Sequence, residues 1–141
     1  MEDLQKNKKD DLCNMTTRQA ILDFGMAFPD VYIDKPFRDD NWVLLRFKMN
    51  KKAFAWTYER NGIMCVNVKV DREWRDLWRS TYEAVIPGYH QNKEHWNTII
   101  LNGTVPDDVV KRMIAESYDL VQGKAGQKVR RSRRKYDTER L

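Results

Sequence analysis

The chain has 141 residues, of which 41% are hydrophobic and 11% aromatic, enough for one domain with a hydrophobic core plus tails. It has no apolar run of about eighteen residues, so no membrane span is expected, and its Lys- and Asp-rich start lacks the apolar stretch of a secretory signal. Cys13 and Cys65 are isolated and form no CxxC motif. These features predict a cytoplasmic protein with reduced thiols.

The formal charge of +5 is unevenly distributed along the sequence. Residues 1–13 have a net charge of −1, residues 14–123 a net charge of zero, and residues 124–141 a net charge of +6. The basic character therefore belongs to the C-terminal segment. A polyanion could be attracted to the remainder only by a local patch.

The first helix is predicted after residues 1–15, which are polar and read as a flexible arm. Thr16 and Gln19 have the spacing of a capping box. Apolar and small residues then recur at helical spacing: Ala20, Ile21, Phe24, Gly25 and Phe28. Pro29 should end this helix, and residues 31–41 are predicted to form a loop.

Three strands are predicted next, at residues 42–48, 53–59 and 63–70, with the hairpin signal Asn61-Gly62 before the third. Strict alternation assigns one set of side chains to the core: Val43, Leu45, Phe47, Phe54, Trp56, Tyr58, Met64, Val66, Val68 and Val70. It assigns the neighbouring set to solvent: Trp42, Leu44, Arg46, Lys48, Ala53, Ala55, Thr57, Glu59, Ile63, Cys65, Asn67 and Lys69. One buried and one solvated face indicate an antiparallel meander.

Two further helices flank a fourth strand. Asp71 is a good N-cap for helix two, whose apolar stripe runs from Trp74 to residue 85. A loop at residues 87–96 leads into a strand at 97–101, and helix three runs from Pro106 to Gly123.

This order of elements predicts an α+β fold in which an antiparallel sheet of about four or more strands has helices packed on one face and its other face open. The predicted domain spans residues 16–123. Residues 124–141 are predicted to be a disordered basic tail.

The chain resembles the MmcQ/YjbR family over roughly residues 16–123. The resemblance rests on a Thr-Arg-x-x-Ile-Leu-Asp helix followed by Phe-Pro-Asp-Val, on Lys35-Pro36-Phe37, and on the motif Ile-Pro-Gly-Tyr-His-x-Asn-Lys-x-His-Trp-Asn-Thr-Ile at residues 86–99. The segments 101–107 and 117–121 also match. The resemblance implies a frataxin-like (CyaY-like) fold and a double-wing arrangement for which DNA binding has been proposed. It implies no agreed enzymatic activity.

Cationic and amide side chains on the predicted open face and its turns favour nucleic-acid binding, because Lys and Arg neutralise phosphates while Asn donates to backbone or base edges. The candidates on the sheet and its first turn are Arg46, Lys48, Lys51, Lys52, Asn67 and Lys69. Those in the loop and tail are His90, Lys93, His95, Arg130, Arg131, Arg133 and Arg134. Trp42 on the same side could stack a base.

Other functions remain open in the sequence. The alternative to nucleic-acid binding is a non-enzymatic module whose open sheet docks a protein or small ligand. His90 and His95 are five residues apart in a loop without a cluster of further ligands, so no metal or cofactor is expected. The first helix carries Asp23 as its one acid, so the acidic ridge through which frataxins bind iron is missing. No catalytic motif is present, and an enzyme centred on His90, Lys93 and His95 is the third hypothesis.

Overall fold

The computed structural model describes residues 14–123, so residues 1–13 of the predicted arm and the predicted tail from residue 124 lie outside it. Met15, the last residue of the predicted arm, is buried, and its N–H donates to Asp107 Oδ1 at 3.0 Å. It contains three helices and six strands. In chain order they are α1 (Arg18–Met26), β1 (Val31–Asp34), β2 (Val43–Phe47), β3 (Ala53–Arg60), β4 (Ile63–Lys69), α2 (Arg72–Thr81), β5 (Val85–Pro87), β6 (Trp96–Ile100) and α3 (Asp107–Val121). None of these helices has the length and apolar character to cross a membrane.

The six strands form one antiparallel sheet with the order β1-β2-β3-β4-β6-β5. The four predicted strands are confirmed, and the sheet gains a short strand at each edge. The predicted loop at residues 31–41 is wrong at its start, because Val31–Asp34 pairs with β2. Helix two is shorter than its apolar stripe suggested, since Tyr82 has extended backbone angles and residue 85 begins the other edge strand.

A β-bulge in β3 changes which side chains face the core. Leu45 lies opposite Ala55 and Arg46 lies opposite Ala53, so Phe54 is an extra residue in its strand. Phe54 still faces the helices, where its ring meets Phe28 and Tyr118. Beyond the bulge the alternation is shifted by one residue relative to the prediction.

The predicted orientations of four β3 side chains, residues 55 to 58, are therefore wrong. Ala55, which was assigned to solvent, is buried in the core. Thr57 is buried on the helix side, where its hydroxyl accepts a hydrogen bond from Arg18 of α1. Trp56 and Tyr58 lie on the opposite side, in register with Asn67 and Cys65 of β4. In β2 and β4 the predicted side of the sheet is right, because neither strand contains an extra residue, but Leu44, Cys65 and Asn67, which were assigned to solvent, are buried on that side.

All three helices cover the same face of the sheet, as predicted. α1 packs on β1 to β3, α3 on β3 and β4, and α2 on β5 and β6. The guanidinium of Arg112 in α3 lies over the ring of Trp74 in α2, at 4.8 Å, so these two helices are neighbours. Gly25 lets α1 approach closely, because a Cβ there would lie 2.2 Å from the Cδ1 atom of Leu45. Thr17, rather than Thr16, caps α1 by accepting the N–H of Ala20.

Candidate functional site

The sheet side away from the helices, called the outer face, is closed at its centre. Tyr58, Asn67 and Thr98 are on this side, and each is at most 1% exposed. They lie under the loop between β5 and β6, residues 88–95, which we call the covering loop. The open face predicted from the sequence is therefore wrong for this central region: alternation shows which side a residue faces but not what lies above it.

A buried hydrogen-bond network attaches the covering loop to the sheet. The Tyr58 hydroxyl and the Thr98 hydroxyl donate to Asn67 Oδ1 at 2.7 and 2.6 Å. Asn67 Nδ2 donates to the carbonyl oxygen of Tyr89 at 2.8 Å, and the Tyr89 N–H donates to Thr98 Oγ1 at 2.9 Å. Burial raises the pKa of Tyr58 to about 12, so its hydroxyl remains a donor throughout the physiological range.

Two further residues fix the path of the covering loop. Gly88 lies against β6, where a Cβ would be 2.7 Å from the Cβ and 2.9 Å from the carbonyl oxygen of Trp96. Arg79 of α2 donates from Nε to Asn97 Oδ1 at 2.7 Å and from its terminal nitrogen to the carbonyl of Lys93. The loop therefore has one defined position over the sheet.

Beside the covered region the outer face has an aromatic cleft of about 450 Å³. It is lined by Phe37, Asp39, Trp42, Trp56, His90 and Gln91. Trp42 stacks on Tyr58 at 4.3 Å, while the rings of Phe37 and Trp56 are each nearly perpendicular to Trp42 at 6.3 Å. The bulge in β3 creates this cleft, because it turns Trp56 outward.

The polar groups of the cleft are few. Asp39 Oδ1 accepts the N–H of Asn41 at 2.7 Å, and no described residue bonds its second carboxylate oxygen. The indole Nε1 of Trp56 is buried and has no acceptor among residues 14–123. The indole Nε1 of Trp78 in the core likewise has no acceptor among these residues, so this feature does not distinguish the cleft.

Two of the predicted nucleic-acid contacts on the outer face, Arg46 and Asn67, have partners within the protein that occupy their side chains. Arg46 is ion-paired with Asp34 at 2.7 Å and donates to the carbonyl of Lys51 at 2.8 Å. Asn67 belongs to the buried network. Lys69 is half-buried, and its backbone N–H donates to Ser117 Oγ. Arg46 and Asn67 therefore hold structural elements together, whereas the hydrogen bond of Lys69 is a backbone contact and does not engage its ammonium group.

The other three sheet candidates lie together at the turn between β2 and β3, residues 48–52, which we call the cationic hairpin. Lys48, Lys51 and Lys52 are all exposed, and none forms a salt bridge with a described residue. Asn50 Nδ2 donates to the carbonyl of Val121 at 2.7 Å. The hairpin is therefore in contact with the end of α3, two residues before the described chain ends at residue 123.

The loop candidates do not converge on one site. His90 has a φ of 58° and lines the cleft, with its ring 6.3 Å from Trp42. Lys93 is exposed, and its Nζ donates to the carbonyl of Gly88 at 3.4 Å. His95 is exposed, and its carbonyl accepts the N–H of Val70. In the described part of the chain, no three His, Cys, Asp or Glu side chains are grouped as metal ligands.

The predicted tail residues and the two cysteines complete the set of residues singled out from the sequence. Arg130, Arg131, Arg133 and Arg134 lie outside the described residues, as does Cys13. Cys65 is a buried free thiol whose pKa is raised by burial. Phe37, Asp39 and Trp56 were not predicted as neighbours of Trp42. Phe37 and Asp39 lie in a segment predicted as a loop, and only the bulge brings Trp56 to their side of the sheet.

Comparison with known proteins identifies the family. A sequence model described as YjbR matches residues 26–120. The "Uncharacterized protein YjbR" of Escherichia coli strain K12 is 29% identical over 102 residues, covering 72% of this chain and 84% of that protein. The "Uncharacterized protein YbdF" of E. coli O157:H7 is 31% identical over 97 residues, covering 69% of this chain and 77% of that protein.

Solved structures show the same fold. The crystal structure of Deinococcus radiodurans protein DR2400 superposes with a TM-score of 0.72 at 29% identity, covering 79% of this chain and 83% of that one. A crystal structure of a Pseudomonas syringae protein gives a TM-score of 0.66 at 27% identity, covering 74% of this chain and 97% of that one. The chain belongs to the YjbR family, as its motifs predicted.

Proposed function

We propose that this YjbR-family protein binds nucleic acid, without catalysis, through the cationic hairpin and the basic segment that follows residue 123. The observation that carries the proposal is the contact between Asn50 and Val121. It brings the three exposed lysines of the hairpin next to the point where the chain continues into residues 124–141, whose net charge is +6. We further propose that the protein acts in the cytoplasm.

The charge distribution supports a local contact rather than a broad one. Residues 14–123 are neutral overall, so long-range attraction has to come from the hairpin and the C-terminal segment together. Lysine contacts to phosphate release counterions and carry no base preference. Binding should therefore be independent of sequence and should weaken steeply as salt is raised.

Fluorescence anisotropy with a mixed-sequence DNA duplex at several salt concentrations tests this proposal. The test variant changes Lys48, Lys51 and Lys52 to glutamine. A plot of the logarithm of the association constant against the logarithm of the salt concentration has a negative slope. Loss of three phosphate contacts should make that slope less steep by about 2 to 3. The matched control changes three exposed cations elsewhere to glutamine, Lys35, Arg38 and Arg72, and should bind like the wild type.

Each other outcome contradicts a defined part of the proposal. Equal losses in the test and control variants would mean that the hairpin is not the contact surface. If deletion of residues 124–141 abolishes binding while the hairpin variant changes nothing, the folded domain is not a nucleic-acid module. Salt-independent binding, or none, would reject nucleic acid as the partner.

A second candidate function, binding of a small ligand, is favoured by the aromatic cleft. Its volume of about 450 Å³ lies in the range of small-molecule sites, about 300–1,000 Å³, and its lining is mainly apolar with a few polar groups. Trp42 of the cleft and the hairpin lie at opposite ends of β2, and Trp56 of the cleft is four residues after Lys52, so the two surfaces are about 13 Å or more apart along the strands. Both activities could therefore belong to one molecule.

A further inference from the structure

We infer that the aromatic cleft binds a compact organic cation, with an alkylated ammonium group as its recognised part. The inference rests on the second candidate function, ligand binding at the cleft, and specifies the chemistry of the ligand. It is independent of the nucleic-acid proposal, because none of the hairpin lysines lines the cleft.

The arrangement of the rings favours a rounded group over a flat one. Phe37 and Trp56 stand at 80° and 84° to Trp42, with centroids 6.3 Å from it, so both adjoin the central indole nearly at right angles. A flat ligand stacks on one such wall at a time. An alkylated ammonium group presents a similar surface in every direction and can contact adjoining walls together, where the negative ring faces attract its charge.

The charge of the residues that line the cleft also favours a cationic ligand. Asp39 is the only Asp, Glu, Lys or Arg among the described residues that line the cleft. One of its carboxylate oxygens holds the backbone of Asn41, which fixes the side chain at the rim. A carboxylate beside electron-rich rings complements a cation and disfavours an anionic or phosphorylated ligand. The neighbouring Arg38 and Asp40 do not line the cleft.

Ligand titrations of the full chain, followed by NMR at the tryptophan indole N–H groups, test the inference with a matched pair of probes. Choline carries a trimethylammonium group, and 3,3-dimethylbutan-1-ol is its neutral carbon counterpart. Choline should bind at least about tenfold more tightly than the alcohol, because the shape is kept and only the charge is removed. Indole serves as a third, neutral and flat probe.

Two pairs of substitutions connect binding to the cleft. Asp39→Asn should weaken choline binding at least about fivefold, while Asp40→Asn, one residue away and outside the cleft, should leave it unchanged. Phe37→Ala should also weaken it, and Phe37 is half exposed, so the fold should tolerate the change. Ile33→Ala, at an apolar residue of similar exposure outside the cleft, is its control.

The possible outcomes distinguish failure of the cation inference from failure of ligand binding at the cleft as a whole. If the alcohol or indole binds at the cleft as tightly as choline, the cleft is a ligand site but its preference for cations is refuted. If none of the three probes shifts the Trp42 or Trp56 signals, the cation inference and the ligand-binding candidate both fail. Choline binding that is unaffected by Asp39→Asn and Phe37→Ala would place the site elsewhere and overturn the inference.

Discussion

Removing the hydroxyl of Ser117 should destabilise the fold more than the loss of such a small group suggests. In the pairing of β3 with β4, Ala55 lies opposite Val68, so the next opposed pair would be Phe54 and Lys69. The ladder between β3 and β4 does not extend to that pair. Ser117 of α3 bridges the two strands there: its hydroxyl donates to the Phe54 carbonyl at 2.6 Å and accepts the Lys69 N–H at 2.8 Å.

The expected cost of Ser117→Ala follows from these two contacts. Ser117 is fully buried, and the substitution leaves a backbone carbonyl and a backbone N–H without their partner. Each unsatisfied buried group costs about 1–3 kcal/mol, so the loss of partner for both groups should lower the free energy of unfolding by about 2–6 kcal/mol. That is a large part of the 5–15 kcal/mol typical of a whole domain.

Urea denaturation followed by circular dichroism measures this loss. The control is Ser80→Ala, which removes an exposed hydroxyl that bonds only the Leu77 carbonyl within its own helix. The control should change stability by less than about 0.5 kcal/mol. If Ser117→Ala lies within about 0.5 kcal/mol of Ser80→Ala, the hydroxyl does not bridge the ladder and the reasoning is refuted.

Three further changes test how the covering loop is held. Asn67→Leu removes three buried hydrogen bonds and should lower the unfolding free energy by about 3 kcal/mol in urea melts; a loss below about 1 kcal/mol would contradict the network. Gly88→Ala should destabilise by at least about 2 kcal/mol and speed hydrogen exchange of the Tyr89 amide, whereas Gly103→Ala, with a φ of 87° and open space, should leave that exchange unchanged. Between pH 10 and 12 the unfolded chain loses the Tyr58 proton while the folded chain keeps it, so the wild type should lose stability relative to Tyr58→Phe; parallel pH curves for the two proteins would argue against burial of the hydroxyl.

The long elements could be predicted from the sequence because their signals are local. The alternation in β2 and β4 and the helical spacing of α1 and α3 depend on neighbouring residues alone. The edge strands could not be predicted in this way. Val31–Asp34 and Val85–Pro87 have four and three residues, and each becomes a strand only because a longer neighbour pairs with it.

The candidate site was harder to predict, because a sequence pattern shows orientation but not accessibility. Arg46 and Asn67 do lie on the outer face, as alternation indicated. Their partners, Asp34 and the backbone of Tyr89, come from segments that were predicted to be loops. Lys51 and Lys52 were predicted correctly as exposed, since they lie in a polar turn whose one apolar residue, Met49, is itself 70% exposed.

The bulge at Phe54 connects the stability of the core to the cleft on the other side of the sheet. Without the extra residue, Trp56 would face the helices and Thr57 would face outward, so the cleft would lose one of its aromatic walls. From the helix side, Ser117 bonds the carbonyl of Phe54, the bulged residue itself, and the N–H of Lys69. A buried hydroxyl that contacts no ligand therefore helps to hold Trp56 in the cleft. It follows that Ser117→Ala should shift the Trp56 indole signal even under conditions where the variant is fully folded, while Ser80→Ala should not.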